Sequence, residues 1–416
     1  MSKIIIEGGR RLYGKTYISR AKNACLPIIA ASVATCGKVF LHGAPEIKDV
    51  CVMAEIIQDL GGDYRFCENG LELKTDTINS YIGNENIYKK ARASLFTAGG
   101  LLARFGRAYV PYPGGCSIGK RPIDIHIAAF ESLNVKAHCM ENGVYFDGTH
   151  MRAGKVVLRY PSVGATVNAV CAALCLNGET EICGCACEPE ISDMCRFLNK
   201  CGYNIILGKG RIVINGGRLS EKNVEYMPIC DRIEAGTYLF ACLACGGEIA
   251  FEYDCPSPLL SVFEVIKRCG AKVYFNTGSV YMRSDMPPLP INVAADVFPA
   301  FPSDLQPQLC AALAVCSGES IVSDKVFPDR FCYADELEKF GAATFGRYGE
   351  MKIAGVKNLH AARVKAKDLR GGAALCIAAL NAVGVSEIDG AGMISRGYYD
   401  LCGKINSLGG RAYLRQ

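Results

Sequence analysis

The chain has 416 residues, half of them hydrophobic, enough for two or three domains with large cores. Its net charge of +5, from 46 Lys and Arg against 41 Asp and Glu, is mild and spread along the chain. That argues against a nucleic-acid partner but suits small anionic ligands wherever cations converge. No apolar run reaches the ~18 residues of a membrane span, and the opening Met1-Ser-Lys-Ile-Ile-Ile-Glu-Gly-Gly9 is charged too early for a secretory leader, so the expectation is a cytoplasmic protein with no membrane partner.

Two patterns alternate from there on. Lys22 and Asn23 lead into an apolar run of small residues at 26–35, and an amphipathic stretch follows that ends in Gln58-Asp-Leu-Gly61 before a β-like run. Similar apolar runs return at 94–104, 165–176, 235–245, 305–316 and 373–383, and the amphipathic stretches end again at Asn134, Gly202, Gly270, Gly341 and Gly409. The six end points are 68 to 73 residues apart. Gly at such a point fits the left-handed residue that closes a helix, and Asn134 is the other residue type that tolerates that shape. The apolar runs are rich in Ala, Cys and Leu, and a helix apolar on all sides is buried.

Each repeat therefore predicts one buried helix, one surface helix and several short strands. A period near 70 is longer than a solenoid unit. The expected fold class is α/β: two inside-out domains of three repeats each, with buried helices inside and sheets plus amphipathic helices outside. The helix starts near Lys22 and Asp231 place one domain at 22–229, and the other at 1–21 plus 230–416; the alternative is an ordinary sequential split into two domains near 230.

The sequence carries 23 cysteines, many inside the apolar runs, where they act as small hydrophobes kept reduced in a cytosol. Cys183-Gly-Cys185-Ala-Cys187 does not have a standard zinc spacing, and the five His show no i,i+4 pairing, so no metal and no cofactor is expected. One thiol stands apart. Cys116 lies in Pro113-Gly-Gly-Cys-Ser-Ile-Gly-Lys-Arg-Pro-Ile-Asp-Ile-His126, between glycines and just before Lys120 and Arg121. Neighbouring cations favour a thiolate, and the glycines let a ligand approach the main chain. Gly114 to Lys120 also fits a phosphate-binding loop, G-x-x-x-x-G-K, but Arg121 replaces the Ser/Thr that would hold magnesium and no apolar helical run opens directly at Pro122.

The residues before the buried helices are unusual. They include Arg20-Ala-Lys22-Asn23, Lys89-Lys-Ala-Arg92, Tyr160-Pro-Ser162-Val-Gly164, Asp231-Arg-Ile-Glu234, Pro302-Ser-Asp304 and Lys367-Asp-Leu-Arg370. Ser162, Asp231 and Asp304 suit simple N-caps. Lys22, Arg92 and Arg370 do not, because a cation opposes the helix dipole there; a locally unfavourable choice points to a functional anion site.

With these motifs in hand the chain resembles, over essentially its whole length, the UDP-N-acetylglucosamine 1-carboxyvinyltransferases of the enolpyruvyl transferase family. The resemblance rests on Ala21-Lys-Asn-Ala24, Ala103-Arg-Phe-Gly106, the Cys116 loop, Ser162-Val-Gly-Ala-Thr166, Glu188-Pro-Glu190, Asp231-Arg-Ile-Glu-Ala-Gly-Thr237, Ala300-Phe-Pro-Ser-Asp-Leu-Gln306, Arg330-Phe331, Asp368-Leu-Arg370 and Arg396-Gly-Tyr398. It implies a reaction of phosphoenolpyruvate with the 3′-hydroxyl of UDP-N-acetylglucosamine through a tetrahedral ketal, with loss of phosphate, at the start of peptidoglycan precursor synthesis. Cys116 matches the family's proton donor and the thiol alkylated by fosfomycin, and Asp304 matches the carboxylate at the sugar hydroxyl. Lys22, Arg121 and Arg396 match ligands of phosphoenolpyruvate. Asn23, Arg92, Arg121, Pro122, Ile123, Asp124, Ile125, Ser162, Val163, Gly164 and Val326 match the nucleotide-sugar side, and Arg330 and Arg370 are further cations of the cleft.

Two departures bear on nucleotide binding. Tyr160 stands where the family usually has Lys, and Lys120 replaces a small residue, which moves a cation rather than losing it. Two competing readings follow: a 5-enolpyruvylshikimate-3-phosphate synthase, disfavoured by the Cys116 loop and by Lys22-Asn23, and a non-catalytic sugar-nucleotide-binding paralogue, suggested by Tyr160.

Overall fold

A computed structural model describes residues 2–114, 123–285 and 287–415. The chain divides into two compact units, one of residues 20–114 and 123–229, the other of residues 2–19 and 230–415. Both have the inside-out α/β plan, with three helices at the centre and sheets outside.

In the first unit the central helices are α1 (Lys22–Ser32), α2 (Thr97–Phe105) and α3 (Val163–Ala173). In the second they are α4 (Arg232–Cys245), α5 (Gln306–Leu313) and α6 (Leu369–Asn381). Within each unit every central helix packs on the other two. The all-round apolar patterning shows directly in α4, in which all 14 residues are buried. Small residues bring the helices close. A Cβ on Gly99 would sit 2.3 Å from the Asn168 carbonyl oxygen, so only glycine permits the approach of α2 to α3 there.

Among the described residues each unit wraps its helices in three sheets, three of four strands in the second unit and two of four with one of three in the first. The recurring motif is an antiparallel hairpin extended by further strands. In the first unit Lys38–His42 pairs antiparallel with Gly70–Lys74 and parallel with Val224–Tyr226, so the end of the unit's chain returns to its first sheet. The N-terminal residues serve the second unit in the same way. Lys3–Gly8 pairs antiparallel with both Gly384–Asp389 and Ala412–Arg415, and Leu12–Thr16 pairs parallel with Gly247–Glu252.

The six repeat end points all adopt the left-handed conformation, at φ 98° (Gly61), 64° (Asn134), 105° (Gly202), 88° (Gly270), 89° (Gly341) and 83° (Gly409). The hydrogen bonds explain why. At 61, 134, 202, 270 and 409 the residue's own N–H bonds to the carbonyl three residues back, and the next N–H bonds to the carbonyl five back. This closes the helix on its last carbonyls and requires positive φ at the turning residue.

The amphipathic stretch that ends at Asn134 contains the helix Asp124–Glu131, with His126, Ala129 and Phe130 buried. Residues 115–122, with Cys116, Lys120, Arg121 and Pro122, lie outside the described residues.

Among the described residues no helix is long and apolar enough to cross a membrane. Every described cysteine is a free thiol, and the described residues contain no group of three or more His, Cys, Asp or Glu that could hold a metal ion. Burial pushes the thiols of Cys195, Cys242 and Cys310 up to about 12, so these thiols act as core rather than as nucleophiles.

Candidate active site

In the first unit the candidate residues collect at the N-terminal ends of the central helices. Lys22 is the first residue of α1, whose N-cap Ala21 offers no side-chain bond. The lysine is buried, and its Nζ lies 3.1 Å from Asp49 Oδ2 on the surface helix Lys48–Asp59. The carboxylate thus stabilises a cation that opposes the α1 dipole, and holds it in place. Asn23 follows, half-buried. Arg92 opens a 3₁₀ turn, Arg92–Phe96, that leads into α2. Ser162 is a true N-cap of α3, its Oγ accepting from Ala165 N at 3.3 Å, with Val163 and Gly164 as the first helical residues. Ile123 and Ile125 pack partly buried against the core, whereas Asp124 is exposed and paired with Arg159.

These elements meet at His126. Its Nδ1 lies 2.8 Å from Asn168 Nδ2, and the Asn168 amide also donates to Leu95 O at 3.0 Å and accepts from Gly99 N at 2.9 Å. The bond from Gly99 fixes Oδ1 as the acceptor, so Nδ2 must be the donor to His126, and the neutral ring carries its proton on Nε2. Burial, with the Arg92 charge added, pushes the His126 pKa down to about 4. The unfolded chain takes up this proton near the ordinary value of 6.5 and the folded chain near 4, so the stabilisation is complete above pH 6.5 and is lost as pH falls towards 4. The loss is expected to be about 3 kcal/mol. Urea midpoints of wild type and His126→Asn should diverge at neutral pH and converge as pH drops through that window; parallel profiles would place the imidazole in water.

In the second unit the centre is Asp304. Its sequence context suits a cap, but it is not one: the 3₁₀ turn Ser303–Leu305 begins after Pro302 without a side-chain cap bond. Instead Asp304 Oδ1 accepts from Arg330 Nη1 at 2.7 Å, and Oδ2 accepts from Arg370 Nη2 at 2.9 Å and Nε at 3.3 Å. The arginine side chains are only 3% and 4% exposed, the carboxylate 28%. Two guanidiniums thus share one carboxylate. Arg330 Nε and Arg370 Nη1 are buried with no hydrogen-bond partner among the described residues. Burial works against the Arg370 charge, but Asp304, Tyr398 and Asp231 outweigh it, and its pKa is raised.

Asp231 and Asp368 are the true N-caps of α4 and α6, each accepting two backbone N–H bonds. Val326 is tied to the same place: Asp324 Oδ1 accepts from its N–H at 2.9 Å while Oδ2 accepts from Ser303 Oγ at 2.5 Å. Arg396 is half-buried beyond the short helix Ala391–Ile394. Two residues on, Tyr398 lies with its ring 5.7 Å from the Arg370 guanidinium and its hydroxyl 2.8 Å from Thr237 Oγ1.

The groups that the motifs did not reveal are Asp49, Asp324 and Asn168. Asn168 had a signal, since it is a polar residue inside an apolar run and a buried amide must find partners. Asp49 and Asp324 had none, because both fall in stretches whose pattern is that of an ordinary surface helix and strand.

Comparison with known proteins follows the same lines. Residues 6–405 match the family model described as EPSP synthase (3-phosphoshikimate 1-carboxyvinyltransferase). The chain is 38% identical over 413 residues to UDP-N-acetylglucosamine 1-carboxyvinyltransferase 2 of Carboxydothermus hydrogenoformans, covering 99% of each chain. It is 38% identical over 415 residues to a UDP-N-acetylglucosamine 1-carboxyvinyltransferase of Thermus thermophilus, covering 99% of this chain and 97% of the other. Among solved structures, the enolpyruvyl transferase NikO from Streptomyces tendae superposes with a TM-score of 0.89 at 21% identity, covering 99% and 98% of the two chains. An EPSP synthase from Acinetobacter baumannii gives 0.76 at 17% identity over the whole of both. At those identities the two structures speak for the fold.

Proposed function

The chain belongs to the enolpyruvyl transferase family, and from that premise we propose that it transfers the enolpyruvyl group of phosphoenolpyruvate to the 3′-hydroxyl of UDP-N-acetylglucosamine in the cytoplasm, releasing phosphate. This is the first committed step of peptidoglycan precursor synthesis. The observation that carries it is near-full-length similarity, at 38% identity, to UDP-N-acetylglucosamine 1-carboxyvinyltransferases. The 3-phosphoshikimate enzyme is a more distant relative, 17% identical in its solved form.

The chemistry needs a proton at the methylene carbon and a base at the sugar hydroxyl. Cys116 donates the proton to C3, the hydroxyl oxygen bonds to C2, and its proton passes to Asp304. In the second stage the Cys116 thiolate takes a proton back from C3, the double bond re-forms, and phosphate departs with the C2–O bonding electrons and the proton held by Asp304, which restores both groups. Asp304 held between Arg330 and Arg370 is a poor base as it stands. Anionic groups of the donor substrate compete for the guanidiniums, so that loading the donor frees a carboxylate oxygen. Lys22 and Arg396, with Arg121, bind the donor's phosphate and carboxylate. Asn23, Arg92, Pro122, Ile123, Asp124, Ile125, Ser162, Val163, Gly164 and Val326 bind the sugar nucleotide. Fixed cations aimed at developing negative charge need no reorganisation during the reaction.

The test is phosphate release from phosphoenolpyruvate with and without UDP-N-acetylglucosamine, for wild type and Cys116→Ala. Release that needs the sugar nucleotide and is lost in the variant is expected. Tight sugar-nucleotide binding without release would make the chain a non-catalytic paralogue; release that needs shikimate 3-phosphate instead would give it the other acceptor.

A further inference from the structure

Three segments of the first unit carry most of the residues placed on the nucleotide-sugar side: the turn from Arg92, the helix start at Ile123–Ile125, and the start of α3 at Ser162–Gly164. Nothing in their sequence ties them together, and they are held by one contact set. His126 sits in the first turn of Asp124–Glu131 and is 6% exposed. Its Nδ1 accepts from Asn168 on α3, and the same Asn168 amide bonds to Leu95 O in the Arg92–Phe96 turn and to Gly99 N in α2. The opposite edge of the ring lies against Gly164: a Cβ there would be 2.7 Å from His126 Cε1 and 3.0 Å from Nε2. Glycine at the second position of α3 is therefore required by the imidazole as much as by any ligand.

We infer that His126 is a positioning residue for the sugar-nucleotide site, acting through its Nδ1 acceptor to Asn168 rather than by touching substrate. It sets the spacing between Arg92, Ile123–Ile125 and Ser162–Gly164. The chemistry fits the task. A neutral ring with one acceptor and one donor bonds to an amide already committed on its other polar atoms, so the geometry has a single solution. The inference rests on the acceptor being a sugar nucleotide, so the test separates the two.

The two amide side chains mimic different ring nitrogens. In His126→Asn the amide oxygen falls where Nδ1 lies and still accepts from Asn168. In His126→Gln the amide falls nearer Nε2 and leaves one Asn168 N–H without its acceptor. The expected result is a KM for UDP-N-acetylglucosamine within about threefold of wild type for His126→Asn and raised at least tenfold for His126→Gln, with kcat changed little in both, the mark of lost binding rather than lost transition-state stabilisation. The reverse order would make Nε2–H a direct ligand contact and overturn the inference, and so would equal effects. Nitrogen-15 spectra of the wild-type imidazoles provide a check that needs no variant to fold: one ring with unprotonated Nδ1 and protonated Nε2 from pH 5 to 8 is expected, and its absence overturns the inference. If wild type does not use UDP-N-acetylglucosamine, the functional reading fails, and the spectra still decide whether His126 is pinned as described.

Discussion

Lys404→Met is expected to destabilise the chain by about 3–5 kcal/mol, the cost of leaving one member of a buried ion pair without its partner. Lys404 lies on the short surface helix Leu401–Ser407, yet its side chain is 1% exposed. Its Nζ lies 2.7 Å from Glu234 Oε1, itself 2% exposed, donates to Ser19 Oγ at 2.5 Å and sits 4.2 Å from the Tyr17 ring centre. Glu234 Oε2 accepts the Ser19 N–H at 2.6 Å. Burial pushes the Glu234 carboxyl up against the pull of Lys404, so without the lysine only neutral donors, the Ser19 N–H and the Tyr238 hydroxyl, offset desolvation, and the acid must take a proton or the fold must open. The pair joins three stretches of the second unit: the end of its N-terminal segment, the first turn of α4 and the last surface helix. Urea unfolding of Lys404→Met, Glu234→Gln and the double variant measures it. The double variant should recover much of the loss, because two neutral partners leave no buried charge. Single variants within about 0.5 kcal/mol of wild type would mean that the pair contributes only as much as an exposed one.

Asp304→Asn should lower kcat for phosphate release by roughly 10²–10⁴, the usual contribution of a positioned general base, while the affinity for UDP-N-acetylglucosamine stays within about tenfold. The amide keeps the shape but cannot take the hydroxyl proton, and it removes the carboxylate that pairs directly with Arg330 and Arg370. The folded variant should therefore be less stable than wild type and regain stability in inorganic phosphate, an anion that meets the two guanidiniums. A kcat within tenfold of wild type would remove Asp304 from the chemistry. Equal loss of sugar-nucleotide affinity would make it a binding group only.

Much of this protein was legible without its structure. The six turning points at 61, 134, 202, 270, 341 and 409 could be read because positive φ restricts residue type, and five are glycine and the sixth asparagine. The central helices could be read because burial on every side excludes charge, leaving runs of Ala, Cys and Leu. Their starts, near Lys22 and Asp231, were legible from the residues before the apolar runs: α1 begins at Lys22, α4 at Arg232 after its cap Asp231, and α6 at Leu369 after its cap Asp368. Cations at N-termini conflict with local propensity, and that conflict marked Lys22, Arg92 and Arg370 as candidate site residues.

Partners were not legible, because periodicity reports which face of an element is buried and not which side chain it meets. Lys22 finds Asp49 27 residues on, His126 finds Asn168 42 away, Asp304 finds Arg370 66 away, and Lys404 finds Glu234 170 away. Each pairing depends on how two elements pack, and each changes what the residue is for. Asp304 passes from a candidate cap to a carboxylate between two arginines, and His126 from a motif residue to the point where three segments meet. Lys404, in the amphipathic stretch that ends at Gly409, stands at the centre of a buried ion pair. Composition and period determined the architecture because they encode burial. The charges at the site were assigned only by the tertiary structure, because a buried charge takes its meaning from the group opposite it.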